Sequence, residues 1–244
     1  MGKIMLVTSG KGGTGKSTVA LNLAISLAQE GKKAIILEMD CGMRCLDLML
    51  GIDNIVYDLG DVLSGNCELK EAIYGSDMLQ NISIIAAPAK NNYLVSASRF
   101  VSLCRFLSSA YDFVILDTPA GIGAELACAA EASVLALVVT NPSPVSVRDA
   151  EKAVEFLRRS GVKRIRLVVN QIPMELDGKD ELADVDDIID GVGAQLIALI
   201  PEDKLLKKCI ADRNKKEIKK SIGILAFENL GARILGQDVP LLFK

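Results

Sequence analysis

Residues 10–17 read Gly10-Lys11-Gly12-Gly13-Thr14-Gly15-Lys16-Ser17, directly after a short apolar run at 4–7 and directly before a helix-period segment at 18–29. This is G-x-x-x-x-G-K-[ST] in the strand–loop–helix setting that gives the pattern its meaning. The glycines let the backbone curl so that successive N–H groups face one point. The start of the helix behind them adds a favourable partial positive charge. Such a loop is built to cradle phosphate: Lys16 is placed to reach β- and γ-phosphates, and the Ser17 hydroxyl to hold Mg²⁺. The loop therefore commits the chain to a sheet whose first strand and first helix meet at a phosphate site.

The remaining sequence agrees. Apolar runs at 34–37, 82–86, 113–116, 134–140, 165–170 and 195–200 read as strands, and helix-period segments fall at 94–108, 146–159, 185–189 and 222–235. The runs are continuous rather than alternating, as expected of strands buried on both faces of a parallel sheet. In segment 18–29, Val19, Leu23 and Leu27 with Ala20, Ala24 and Ala28 form one apolar face, and Gly31 stops the helix. The expected fold is α/β, a doubly wound and mostly parallel sheet with helices on both faces. No repeat, low-complexity tract or Pro/Ser-rich linker interrupts 1–244, so a single domain is expected.

The apolar run 113–116 ends in Asp117, followed by Thr118-Pro119-Ala120-Gly121-Ile122-Gly123. A buried strand ending in a carboxylate, downstream of a phosphate loop, delivers that carboxylate to the Mg²⁺ shell beside Ser17. The chain has no histidine, which removes a Ser-His-Asp triad, a histidine base and His-containing zinc sites. The net charge of −3 argues against wholesale nucleic-acid binding but leaves room for a local basic patch. The six cysteines, Cys41, Cys45, Cys67, Cys104, Cys128 and Cys209, contain no C-x-x-C pair. They read as reduced, small apolar residues, with a metal or cluster site as the alternative.

The loop carries a second lysine, Lys11, and the stretch Lys11-Gly12-Gly13-Thr14-Gly15-Lys16-Ser17-Thr18 resembles the deviant Walker A signature of the MinD/ParA family of P-loop NTPases. The resemblance implies an ATP/ADP site formed by Gly10 through Thr18 and ATP hydrolysis within a homodimer sandwiched around ATP. Lys11 would reach the partner's nucleotide, as a cation supplied where charge builds up. Asp40, at the end of Leu37-Glu38-Met39-Asp40, matches the family's switch aspartate, which orients the attacking water and contacts the Mg²⁺ shell. Relatives commonly carry Asp-x-Asp here, and this chain has Glu38 in the first place. Residues 118–123 resemble the second switch. Asn170 matches a residue that contacts the adenine edge, and Pro201 a loop lining the other side of the base. Lys11, Lys16 and Asp40 are thus the expected catalytic residues, and Ser17, Asp40 and Asp117 the metal residues.

Stretches 41–51 with 56–58, 117–121 and 140–150 resemble the septum-placing branch of the family, and the likeness covers nearly the whole chain. It implies spatial control of the division site: ATP dimers collect at the inner face of the membrane and are released when a MinE-type activator speeds an otherwise slow hydrolysis. Those relatives usually end in a basic amphipathic helix. Here 222–235, with Ile222, Leu225, Ala226, Leu230 and Ile234 at helical spacing, reads as a last core helix. The tail after Pro240 is too short for an interfacial helix. Lys and Arg crowd 204–220, a solvated face or a contact for anionic lipid or DNA phosphates. With no signal-peptide pattern and no apolar run near ~20 residues, a cytoplasmic protein with peripheral membrane contact is expected. The alternatives are a ParA- or flagellar-type positioning ATPase acting on DNA or a polar complex, and a metallocluster carrier, for which Cys128 lacks an evident partner.

Overall fold

The computed structural model describes residues 1–41, 44–75, 79–89, 96–173, 184–203, 206 and 221–242. In chain order the elements are β1 (Lys3–Thr8), α1 (Lys16–Gln29), β2 (Ala34–Glu38), α2 (Leu46–Leu50), α3 (Leu59–Ser64), a 3₁₀ turn (Leu69–Ala72) and β3 (Tyr74–Gly75). They continue with β4 (Ile82–Ile85), α4 (Ala97–Ala110), β5 (Phe113–Asp117), α5 (Ala124–Ala132), β6 (Leu135–Thr140) and α6 (Pro144–Arg159). The last are β7 (Ile165–Ile172), α7 (Val185–Val192), β8 (Gln195–Pro201) and α8 (Ile222–Ile234). The eight strands form one sheet in the order β3-β4-β2-β5-β1-β6-β7-β8. Every pairing is parallel except β3 with β4. This is the expected doubly wound sheet. The short antiparallel edge strand β3, the helices α2, α3 and α5 and the 3₁₀ turn are additions to the elements expected from sequence.

Successive residues of a strand point to opposite faces, so each strand supplies both layers. On β1, Ile4 and Leu6 join the core under α3 to α7, while Met5 and Val7 join the core under α1, α2 and α8. β2 and β5 are buried at every position, which is why their sequences read as unbroken apolar runs.

Helix α1 departs from the one-faced helix expected of it. Leu21, Asn22, Ile25 and Ser26 are buried along with the apolar face. The cause is α8, which lies across its outer side. A Cβ at Gly231 would collide with the Ser26 side chain, and Ser26 Oγ donates to Glu228 O at 3.4 Å. The glycine in α8 thus permits a close helix–helix approach. The segment 222–235 is the core helix expected: Ala226, Phe227, Leu230 and Ile234 are buried. The basic stretch 204–220 and the terminal Phe243 and Lys244 fall outside the described residues, apart from Leu206. No helix among the described residues is long and apolar enough to cross a membrane.

Candidate functional site

Strand register assembles the site. Asp117 ends β5 and pairs with Val7 of β1 on one side and Glu38 of β2 on the other. The loops leaving β1, β2 and β5 therefore emerge together at the carboxyl ends of the three central strands, where open α/β sheets bind ligands.

The loop from Ser9 to Gly15 needs its glycines at particular positions. Gly13 and Gly15 adopt φ of 80° and 88°, in the left-handed region that glycine tolerates best. A Cβ at Gly12 or Gly13 would meet nothing within 4 Å, so the loop's rim is open. A Cβ at Gly10 would run into the backbone of Asp149 in α6, and one at Gly15 into the side chain of Asn170. The loop is laced internally by Ser9 Oγ donating to Lys11 O at 2.7 Å. It is joined to the segment after β5 by Gly121 N donating to Ser9 O at 2.8 Å. Lys16 is buried at the start of α1 and Lys11 is exposed on the rim. No ion pair of Lys11 is found among the described residues.

Two buried side chains among the described residues have oxygens without a hydrogen-bond partner, Thr8 and Asp117, and both end strands beneath this loop. Burial pushes the Asp117 carboxyl up to about 7. The Ser17 hydroxyl and Lys16 ammonium are near enough to oppose that rise, although neither forms a bond to it, while Glu38 and Asp40 add to it. An unpartnered buried carboxylate facing a serine hydroxyl is a hard-oxygen donor set. It suits Mg²⁺, which keeps waters and takes few protein ligands. Asp40 is half-exposed. Burial raises its carboxyl above the usual range, Lys16 opposes this, and Glu125 of α5 reinforces it. The structure thus brings Lys16, Ser17, Asp40 and Asp117 into one electrostatic cluster.

Glu38 has a defined task in this structure. Fully buried, its Oε1 accepts from Cys45 N at 2.8 Å and Leu46 N at 3.2 Å, and its Oε2 from Ala87 N at 3.1 Å. One carboxylate therefore pins the start of α2 and the segment after β4 to the end of β2. Arg44 adds to the clamp, donating to Ala87 O at 2.8 Å and lying 3.6 Å from Asp58. The Cys45 thiol sits against Ser17 and Glu38, and burial pushes it up to about 12.

Asn170 and Pro201 come from neighbouring strand ends, Ile172 of β7 pairing with Pro201 of β8. Asn170, expected on an adenine edge, places its amide nitrogen on Thr14 O at 2.8 Å. That places one of its two amide hydrogens on the phosphate loop and leaves the other and Oδ1 outside this bond. Gln171, which the sequence did not single out, donates to Gly13 O at 3.2 Å. Cys128 is buried in the core layer that also holds Cys104 of α4. Of the stretch 41–51, Gly42 and Met43 lie outside the described residues.

Comparison with known proteins accords with this geometry. A ParA family model described as NUBPL iron-transfer P-loop NTPase matches residues 1–185. The chain is 36% identical over 249 residues to the septum site-determining protein MinD of Synechocystis, covering 99% of this chain and 92% of that one. Among solved structures, the MinC:MinD cell division protein complex of Aquifex aeolicus superposes with a TM-score of 0.87 at 29% identity, over 98% of each chain. The septum site-determining protein MinD of Pyrococcus horikoshii, complexed with Mg-ADP, gives 0.83 at 29% identity over 96% of each.

Proposed function

The chain belongs to the MinD branch of the ParA-type P-loop ATPases, and from that premise we infer how its site works: as an ATP-driven dimerisation switch that sets where the division septum forms. The observation that carries the reading is Asp117, buried and unpartnered beside Ser17 under an open glycine-rich loop. Such a carboxylate is costly to keep unless a cation with its phosphates completes it. The Mg-ADP complex of the Pyrococcus relative supports the same ligand here.

In this reading the loop N–H groups and Lys16 hold the β- and γ-phosphates, and Ser17 with Asp117 holds the metal. When bound, Mg²⁺ neutralises charge on the phosphates and helps align them for in-line attack. Asp40 orients the attacking water, and its closeness to Lys16 keeps it at the phosphate end of the cleft. Lys11, exposed on the rim, is free to reach a nucleotide held by a second copy. Hydrolysis then requires the dimer, and ADP releases it. The MinC complex of the Aquifex relative supports a protein partner for this chain. A MinE-type activator and peripheral attachment to the inner face of the membrane complete the cycle. The single sheet supports reading 1–244 as one domain. The iron-transfer description of the matching family model finds less support, because Cys128 is packed into the core.

Light scattering with Asp40→Ala tests the switch. The variant should be monomeric with Mg-ADP and a long-lived dimer with Mg-ATP, because water is no longer positioned for hydrolysis. A variant that binds Mg-ATP and stays monomeric would sink the reading. Sedimentation with anionic vesicles in ATP against ADP tests the membrane step separately.

A further inference from the structure

Two consecutive side chains at the end of β7 reach the phosphate loop from behind. Asn170 Nδ2 donates to Thr14 O at 2.8 Å, and Gln171 Nε2 to Gly13 O at 3.2 Å. In a regular strand this is impossible, since neighbouring side chains face opposite sides. The alternation is broken here by Gln171 itself, whose φ of 57° is left-handed, within a register shift between Val169 and Ile172. A non-glycine residue in that conformation is uncommon and often sits where a site requires it. The Gln171 amide is also held at its other end. Asn141 Nδ2 donates to Gln171 Oε1 at 3.3 Å, while Asn141 Oδ1 accepts from Ser143 N, at the start of α6, at 3.3 Å. With its oxygen occupied by Asn141, the amide turns its nitrogen to the loop.

We propose that Gln171 is a positioning residue of the nucleotide site, held by Asn141 and setting the Gly13–Thr14 peptide so that its N–H faces phosphate. The reason is peptide planarity: in a trans peptide the C=O and N–H point in opposite directions. Drawing Gly13 O toward β7 sends the Thr14 N–H away from β7, into the cradle. Asn170 does the same for the Gly15 N–H through Thr14 O. The loop is thereby shaped before ligand arrives, and less ordering is left for binding to impose. The inference rests on the nucleotide site described above and not on dimerisation.

The test is calorimetric Mg-ADP binding to the full chain, alongside thermal melts of the nucleotide-free protein. Gln171→Gly keeps the left-handed backbone and deletes the amide. It should weaken Mg-ADP about three- to tenfold, the worth of one hydrogen bond, while the nucleotide-free melting temperature holds or rises. Gln171→Glu keeps the reach but opposes a carboxylate to the Gly13 carbonyl, and should weaken binding further. Asn141→Ala should weaken binding by less, and combined with Gln171→Gly should add nothing, because both act through one bond. Unchanged Mg-ADP affinity in Gln171→Gly, additive losses in the double variant, or losses that merely follow falling melting temperatures would each overturn the proposal. Monomeric ADP binding needs no partner copy, so a failed dimer switch leaves this test readable.

Discussion

Replacing Asp117 with Asn should stabilise the nucleotide-free protein while removing its response to Mg²⁺. Asp117 is 1% exposed with neither oxygen hydrogen-bonded, and burial lifts its carboxyl from 3.8 to about 7. Ionising it in the fold therefore costs about 4 kcal/mol more than ionising it in the unfolded chain. Because the folded value is the higher one, the penalty is absent below 3.8, grows as pH rises toward 7, and is fully present above it. Asn is nearly isosteric and carries no charge, but its amide hydrogens would lack partners, which returns part of the gain. A net gain of about 1–3 kcal/mol at pH 8 is expected, or about 2–10 °C in melting temperature for a chain of this size. The gain should shrink between pH 8 and pH 6. With saturating Mg-ADP the order should reverse, since binding stabilises the native state in proportion to affinity. Denaturant titrations at both pH values, with and without Mg-ADP, provide the measurement. A variant less stable than the parent at pH 8 without ligand would refute the reasoning, because it would mean that the carboxylate is satisfied in the free protein.

Glu38→Ala leaves three backbone N–H groups without their acceptor and should cost about 3–5 kcal/mol, whereas Glu38→Gln should cost less than half as much; chemical denaturation separates them. Gly10→Ala forces a methyl into the Asp149 backbone and should cost at least about 2 kcal/mol while weakening nucleotide binding, as calorimetry would report. Lys11→Ala changes an exposed side chain without an ion pair among the described residues. Stability and Mg-ADP affinity should stay within about 0.5 kcal/mol, while Mg-ATP turnover collapses; retained turnover would place Lys11 outside the reaction.

Much of this architecture was legible because its determinants are local. The loop at 10–17 declares itself through glycines whose positive φ is needed where it falls, and the central strands through unbroken apolar runs. Helix α6 carries its own start signal, Ser143 bonding Ser146 N with Pro144 in the first turn. Helix α3 carries one too, the reciprocal pairing of Asp58 and Asp61, a signal that could have revealed it. Helix α2 has no such mark. Its first residues are capped by Glu38, eight positions upstream of Leu46 and in another element, with no local side-chain cap at Cys45. A five-residue helix capped from a neighbouring strand end leaves no start signal in its own sequence, and the left-handed Gly51 marks only where it stops.

The same distinction separates the parts of the site. Residue types that chemistry demands at fixed spacing, such as Lys16, Ser17 and Asp117, can be read one at a time. The residues that hold them in place cannot. Glu38 looks like a departure from an acidic pair until the sheet order sets β2 between β4 and β5, bringing Ala87 and Cys45 to the same carboxylate. Asn170, expected at the adenine edge, also reaches the phosphate loop, because a left-handed Gln171 breaks the strand's alternation and turns two amides onto the loop. Both effects depend on a register or a dihedral set by residues distant in sequence. A glycine-rich motif therefore names the groups expected at the phosphate, while the contacts that brace the loop come from a strand end more than 150 residues away.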